Sequence, residues 1–470
     1  MGIKTAAQHL YKPEYLIKSP PPPDGSYDTR SVYSALLRVS WPAVLEALLI
    51  GLVSFADSIM VGRVGSAAIA AVGVTNQPRF LFFSVFFALN IGVTAIVSRR
   101  RGENDRERAN RCLGQAFSVC ILLSAVLCVV ALTFSRPLIA FAGAGEDIID
   151  DAVTYFNITM VGMTFTALSM VLNAAQRGSG NTRIAMVTNL AANGVNVVLN
   201  YLLISGNLGF PRLEVKGAAI ATLTGNLVCF FIAFVSVLRK DKFVRLSLGC
   251  CVRFDSQTLR LILKIGSSAA IEQIFMRIGF FTYAVLVAKL GTQALATHQI
   301  CMSIINLSFC VGDGLGIAAS SLVGQSLGRR RPDMASVYGK ASQRVGLLIS
   351  AALFLLFLLG GELLMSLFTD DAEIIATGVK LLLIVAVTSP GQISQVIFTG
   401  CLRGAGDTRY VAAVSLVSIA LVRPVLTYVF CYPLGLGLVG AWLSLLFDQY
   451  TRLLFSMLRF SKGKWKSIRV

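Results

Sequence analysis

Apolar runs of eighteen residues or more recur along the whole of this 470-residue chain, separated by short polar connections. Wound as an α-helix rising about 1.5 Å per residue, such a run crosses the roughly 30 Å hydrocarbon layer of a bilayer. Lipid offers no water to backbone amides and carbonyls, so a spanning segment is either a helix or part of a closed barrel. A barrel needs alternating segments of about ten residues, whereas these runs are continuous and longer. The sequence predicts an all-α membrane protein with spans at residues 34–62, 67–98, 112–135, 148–175, 183–205, 217–239, 258–289, 293–326, 338–368, 372–401, 408–432 and 438–460. The 55% hydrophobic and 14% charged content is more apolar than a soluble domain can bury.

A formal charge of +18 invites a nucleic-acid reading, but the cations fall on one side of the predicted bundle. Arg99, Arg100, Arg101, Arg106, Arg108 and Arg111 follow the second span, whereas the next connection sets Arg136 among Glu146, Asp147, Asp150 and Asp151. Basic connections return after every even-numbered span: Arg177 and Arg183, then Arg239 to Arg253, Arg329 to Arg331, and Arg403 with Arg409. The positive-inside rule puts these connections and both termini in the cytoplasm of a multi-pass inner (plasma) membrane protein. Topology and anionic lipid account for the charge, and no nucleic-acid partner is expected. Seven of the ten cysteines lie in or at the edge of apolar spans, and with only His9 and His298 there is no metal-ligand spacing. Residues 1–30, with Pro20 to Pro23, read as a short cytoplasmic segment rather than a signal peptide.

One constant offset runs through the chain. Arg177-Gly178-Ser179-Gly180-Asn181-Thr182-Arg183 aligns with Arg403-Gly404-Ala405-Gly406-Asp407-Thr408-Arg409, and 403 minus 177 gives 226. Val61 to Gly65 with Val287 to Gly291, Glu46 with Glu272, and Gly102 with Gly328 keep that shift. Lys216-Gly217-Ala218-Ala219 aligns with Val439-Gly440-Ala441-Trp442 after a three-residue contraction. The expected organisation is an amino-terminal lobe at 31–240, a cytoplasmic linker at 241–255, a carboxy-terminal lobe at 256–460 and a basic tail at 461–470. With six spans each, the lobes should be related by a pseudo-two-fold axis along the membrane normal, with a transport path between them. In the repeated turn, the glycines permit a left-handed backbone, Asn181 and Asp407 are expected to cap the following helix, and the arginines to face headgroups.

The segment FADSIMVGRVG in the first span, the doubled QRGSGNTR and LRGAGDTR turns, VGQSLG after the eighth span and VKGAAIAT opening the sixth resemble the multidrug and toxic compound extrusion (MATE) family. The similarity covers about residues 31–460 and looks more like the DinF-like branch than the NorM-like one. The resemblance implies a cation-coupled antiporter that exports amphipathic, often cationic, drug-like compounds by alternating access, without a cofactor and as a monomer.

Ionisable groups inside a membrane are expensive, so each implies a function or a partner. Asp57, Asn196, Asn200 and Thr222 count to about the same depth, roughly 8–15 Å below the outer boundary. Asn196 and Asn200, four apart, share one helix face. One carboxylate, two amide oxygens and a hydroxyl can hold a proton on the acid or enclose Na⁺. The resemblance makes these four the family's amino-lobe cation site, although Asn200 stands where an aspartate is often found. The alternative is that Asp57 only bonds neighbouring helices. NorM-like acids in the seventh and tenth spans have no counterpart: the position in the seventh is Met276, and the tenth has no carboxylate between Glu373 and Asp407.

Glu46 and Glu272, with Asp313 and Arg277, form a candidate substrate or proton path. Glu46 could equally pair with Arg79. Arg277 with Asp313, and Arg423 with Asp448, match in depth as intramembrane ion pairs. Pro78 and Pro390 interrupt spans where a kink could act as a hinge or as a static bend. A flippase or exporter of a lipid-linked or anionic metabolite is the competing function, for which an arginine-rich cavity is expected. Five acids (Glu46, Asp57, Glu272, Asp313, Asp448) against three arginines (Arg79, Arg277, Arg423) favour a cation. Neither HExxH nor a nucleotide-binding loop occurs, so an enzyme is disfavoured and the energy source is a gradient of H⁺ or Na⁺.

Overall fold

The computed structural model describes residue 12 and residues 28–468, except 63–65, 147, 205, 240–241, 248 and 250–254; the side chains of 54–59, 61–62, 66–67, 69 and 292 also lie outside the description. Twelve long helical segments are present among the described residues and no strand. They are α1 (Thr29–Gly62), α2 (Ser66–Gly102), α3 (Arg106–Thr133), α4 (Ile149–Gly178), α5 (Thr182–Leu203), α6 (Glu214–Leu238), α7 (Ser256–Ala288), α8 (Thr292–Gly328), α9 (Pro332–Leu359), α10 (Ala372–Gly404), α11 and α12 (Gly437–Ser461). α11 runs as Thr408–Ser415, a π-helical stretch Leu416–Val422, and Arg423–Cys431. Ten of them are long and apolar enough to cross a membrane. The other two, α5 and α12, reach spanning length at 22 and 25 residues, and their composition explains the lower apolarity. α5 carries four asparagines and α12 carries Asp448, Arg452 and Arg459.

Backbone contacts divide the chain into two compact units, Leu48–Ala270 and Met1–Ala47 with Ile271–Val470. Their boundaries fall inside α1 and α7 rather than in the connections at 241–255, because the first halves of these two helices pack away from the sequence neighbours that come after them. In the first unit, α7 closes on α2, where a Cβ at Gly92 would stand 3.6 Å from the Ile262 carbonyl. In the second, Val32, Leu36 and Val39 at the start of α1 join Ala318 and Leu322 of α8 and Val337 and Ala341 of α9 in one buried cluster.

The fourth helix of each half is heavily buried. α4 contributes fully buried Phe156, Met160, Met163, Val171 and Leu172, and α10 contributes Leu381, Leu382, Val385, Ile393 and Ile397. The repeated turn that ends each of them divides its labour between its glycines. A Cβ on Gly178 would meet the Thr94 carbonyl at 2.9 Å, and one on Gly404 would meet the Ser320 carbonyl at 2.1 Å, so the first glycine lets α4 lie on α2 and α10 on α8. The second glycine reverses the chain with a left-handed backbone, φ 89° at Gly180 and 86° at Gly406. The expected caps do not form: neither Asn181 nor Asp407 makes a side-chain cap bond. Asn181 Nδ2 donates instead to Gln176 Oε1 at 3.4 Å, and Asp407 accepts from Arg459 Nε at 2.8 Å. A side-chain partner outside the following helix outcompetes local capping at both positions.

True caps sit elsewhere. Asp105 accepts from Arg108 N at 2.9 Å to open α3, and Asp371 from Glu373 N at 2.9 Å to open α10. Asp255 precedes α7, where the Thr258 hydroxyl at 2.6 Å and Gln257 N at 3.1 Å hold its carboxyl below the ordinary range. α2 and α10 run unbroken through Pro78 and Pro390. At the chain's end Trp465 is fully buried, stacked on Phe460 with ring centres 4.9 Å apart, and donates to the Phe460 carbonyl at 2.7 Å. The described part of the basic tail is therefore anchored.

Candidate functional site

Three of the four expected cation-site residues meet within the Leu48–Ala270 unit. Asn200 Nδ2 donates to Asn196 Oδ1 at 3.2 Å, Asn196 Nδ2 to Thr222 Oγ1 at 3.4 Å, and Thr222 Oγ1 to the Ala218 carbonyl at 2.9 Å. Asn196 and Asn200 are 7% and 2% exposed, a depth of burial at which an amide must be bonded. Glycines set the spacing: a Cβ on Gly217 would strike the Leu203 carbonyl at 2.6 Å, and one on Gly225 would lie 2.9 Å from the Ala192 carbonyl and 3.3 Å from Asn196 Cβ. Their absent side chains let α6 approach α5 until Thr222, one turn from Gly225, reaches Asn196. The fourth residue, Asp57, lies on helical backbone of α1, but its side chain is outside the described residues.

The amide chain extends further than the sequence suggested. Asn173 Nδ2 donates to Thr188 Oγ1 at 3.1 Å, Asn189 Oδ1 accepts from Cys229 Sγ at 3.6 Å, and Gln176 Nε2 donates to Ser236 Oγ at 3.2 Å. Together they make a polar seam along α4, α5 and α6. Its sequence signal was four asparagines spaced three to four apart on α5, at 189, 193, 196 and 200.

Two charge clusters occupy the other unit. Glu272, 2% exposed, accepts on one oxygen from Arg403 Nη2 at 2.6 Å and from Ser415 Oγ at 3.0 Å. Arg403 was expected to face headgroups; it turns inward because a buried carboxylate is the stronger acceptor. The second cluster centres on Asp448, which is fully buried. It accepts from Arg423, from Arg452 Nη2 at 2.9 Å and from Ser418 Oγ at 2.6 Å. Arg423 also lies over the rings of Phe280 and Tyr283, at 5.0 and 5.6 Å. The expected Arg423–Asp448 pair is thus present, and the sequence reading missed Arg452, four residues along the same helix. The π-helical stretch ends where Arg423 begins, and such an inserted residue rotates the remainder of the helix about its axis.

Arg277 and Asp313 do not form the expected pair, and Asp313 is exposed. Glu46 is buried at 6% exposure on the first half of α1, beside the point where Gly314 of α8 touches Val44. Arg79 donates to the Tyr155 hydroxyl at 3.3 Å and lies 5.6 Å from its ring centre.

The MatE family model matches residues 42–202 and 268–429, one match in each half of the repeat. The chain is 28% identical over 436 residues to the uncharacterized transporter YisQ of Bacillus subtilis, covering 92% of this chain and 94% of that one. It is 26% identical over 432 residues to the probable multidrug resistance protein NorM of Thermotoga maritima, covering 92% of both. Among solved structures, a MOP superfamily transporter from Pyrococcus furiosus superposes with a TM-score of 0.85 at 22% identity, over 92% of this chain and 97% of that one. An outward-facing MATE family multidrug transporter gives 0.85 at 23% identity with the same coverage.

Proposed function

Because the chain belongs to the MATE family of membrane transporters, we propose that it is a secondary antiporter exporting amphipathic, cationic, drug-like compounds against an inward flow of H⁺ or Na⁺. It acts as a monomer through two six-span lobes, with both termini and the basic connections in the cytoplasm. The observation that carries this reading is the buried Asn200–Asn196–Thr222 chain, which presents oxygens at the depth of Asp57. An acid beside neutral oxygen donors in a low-dielectric setting changes its protonation or its ion with little reorganisation. Loading that site with a proton or Na⁺ would alter the packing of α1 and lower the affinity for cargo. With Asn200 in place of a second acid, protons are the preferred ion, and the DinF-like branch the preferred placement.

Asp57→Asn is expected to abolish efflux of a fluorescent cation from proteoliposomes while the protein still elutes as a single species; retained efflux removes Asp57 from the mechanism. Imposing pH and sodium gradients separately identifies the ion, and export driven by sodium alone overturns the proton preference.

An anionic or lipid-linked cargo is the second reading. It is favoured by Arg403 and Arg452, which join Arg79, Arg277 and Arg423 and cancel the acidic lead that the sequence had suggested. Inhibition of cation efflux by an organic carboxylate, but not by a second organic cation, would select it.

A further inference from the structure

A cavity of about 380 Å³ opens between the ends of α4, α5 and α6 that carry the basic connections. Its wall is apolar, with Ile184 beside Phe231 and Val235; the latter two are 58% and 53% exposed. Arg239 and Lys242 stand at its mouth. The Lys242 carbonyl accepts from Arg106 of α3, which ties the chain beyond α6 to its neighbour. The floor contains Gln176 and Ser236, 2% and 9% exposed and bonded to each other at 3.2 Å. The floor is therefore set in shape.

We propose that this groove binds one anionic glycerophospholipid of the adjoining leaflet. α6 is a spanning helix, so the neighbour lying against the open Phe231–Val235 face is an acyl chain. Where that face ends, just beyond the last turn of α6, Arg239 and Lys242 both line the groove, on the side of the basic connections, where headgroup phosphates lie. A soluble phosphate would gain nothing from the apolar wall, and a zwitterionic lipid would match the wall but not the mouth. Charge complementarity and the amphipathic lining together select an anionic lipid. Through the Gln176–Ser236 floor and the Asn181–Gln176 bond, the bound lipid would brace the α4–α5 turn against α6. The proposal uses the reading of this end as headgroup level and needs no transport activity, so its failure would leave the export mechanism untouched.

Native mass spectrometry of the full chain in detergent micelles, titrated with phosphatidylglycerol or phosphatidylcholine of the same chain length, tests it. One phosphatidylglycerol should be retained in preference to phosphatidylcholine. The double variant Arg239→Gln/Lys242→Gln should bind it roughly 30-fold less, the loss expected for two cations near an anionic headgroup. Val235→Trp should displace it by filling the wall, and the charge-preserving Arg239→Lys/Lys242→Arg should keep it, which separates lost binding from lost folding. Lys462→Gln/Lys464→Gln, an equal charge loss in the tail, should change nothing. Equal retention of the two lipids, binding unaffected by the Gln pair, or competition by glycerol 1-phosphate at the same concentration as the lipid would overturn the proposal.

Discussion

Asp448 is bonded to two arginines, and that stoichiometry makes unequal demands on its partners. The set Arg423, Arg452 and Asp448 carries one net positive charge, at 1%, 11% and 0% side-chain exposure. Asp448→Asn leaves two guanidinium charges facing each other across an amide. Removing one partner of a buried pair costs about 3–5 kcal/mol. Arg423→Met removes a cation instead and leaves Asp448 with Arg452, a neutral pair still bonded at 2.9 Å. The remaining loss is the contact with Phe280 and Tyr283, about 0.5–2 kcal/mol, since methionine refills much of the volume. With an unfolding entropy of about 2.1 cal/mol/K per residue and a unit of roughly 250 residues, melting temperature should fall by about 6–10 °C for Asp448→Asn and about 1–4 °C for Arg423→Met. Heating the detergent-solubilised protein at graded temperatures and measuring the surviving monodisperse peak reads both. If Arg423→Met is as damaging as Asp448→Asn, the excess-cation reasoning is wrong and Arg423 acts through packing.

The two turn glycines give a graded test: Gly404→Ala, whose Cβ would stand 2.1 Å from a backbone carbonyl, should reduce folded yield more than Gly178→Ala, at 2.9 Å; equal yields would refute close approach as their role. Trp465→Ala should cost about 3–5 kcal/mol, seen as a lower melting temperature that deletion of the tail from residue 462 reproduces; an unchanged melting temperature would mean the tail is only an appendage. Asn200→Asp adds an acid to the Asn196–Thr222 chain and should increase the sodium dependence of export in proteoliposomes; identical ion dependence in the variant would detach Asn200 from the coupling ion.

Spanning helices were legible in the sequence because each must satisfy its own backbone within lipid, and length and apolarity report that requirement directly. The turn was legible in part: the positive φ of Gly180 and Gly406 follows from glycine chemistry, but capping by Asn181 and Asp407 did not occur. Local rules carry no information about a distant donor such as Arg459. For the same reason Arg403 was read as a surface cation, although Glu272 lies 131 positions earlier in the chain. Arg452 was four residues from Asp448 on one predicted helix and could have been found by helical spacing alone. The π-helical stretch had no such signal, because an extra residue in a turn leaves the hydrophobic pattern almost unchanged.

The repeat sharpens the difference between the halves. At the offset of 226, reduced to 223 in the last span, the residues that answer to Asp57, Asn196, Asn200 and Thr222 are Tyr283, Val422, Leu426 and Leu445. In the other direction, Arg423, Asp448 and Arg452 answer to Val197, Gly225 and Cys229. Meanwhile the backbone contacts are kept, Gly178 on Thr94 and Gly404 on Ser320 being the same pair at the same offset. Duplication thus preserved the small residues that let helices touch, while polar groups moved to different positions in each copy. Among the described residues, the Asn200–Asn196–Thr222 chain of the first half therefore has no counterpart at the corresponding positions of the second. The corresponding helices of the second half spend their polar residues on a charge cluster that already holds its own counterions. Neutralising Asp448 should therefore perturb folding before it perturbs coupling, and neutralising Asp57 should do the reverse, because Asp448 holds two guanidinium groups by its charge, whereas the Asn200–Asn196–Thr222 chain is held by bonds between neutral groups.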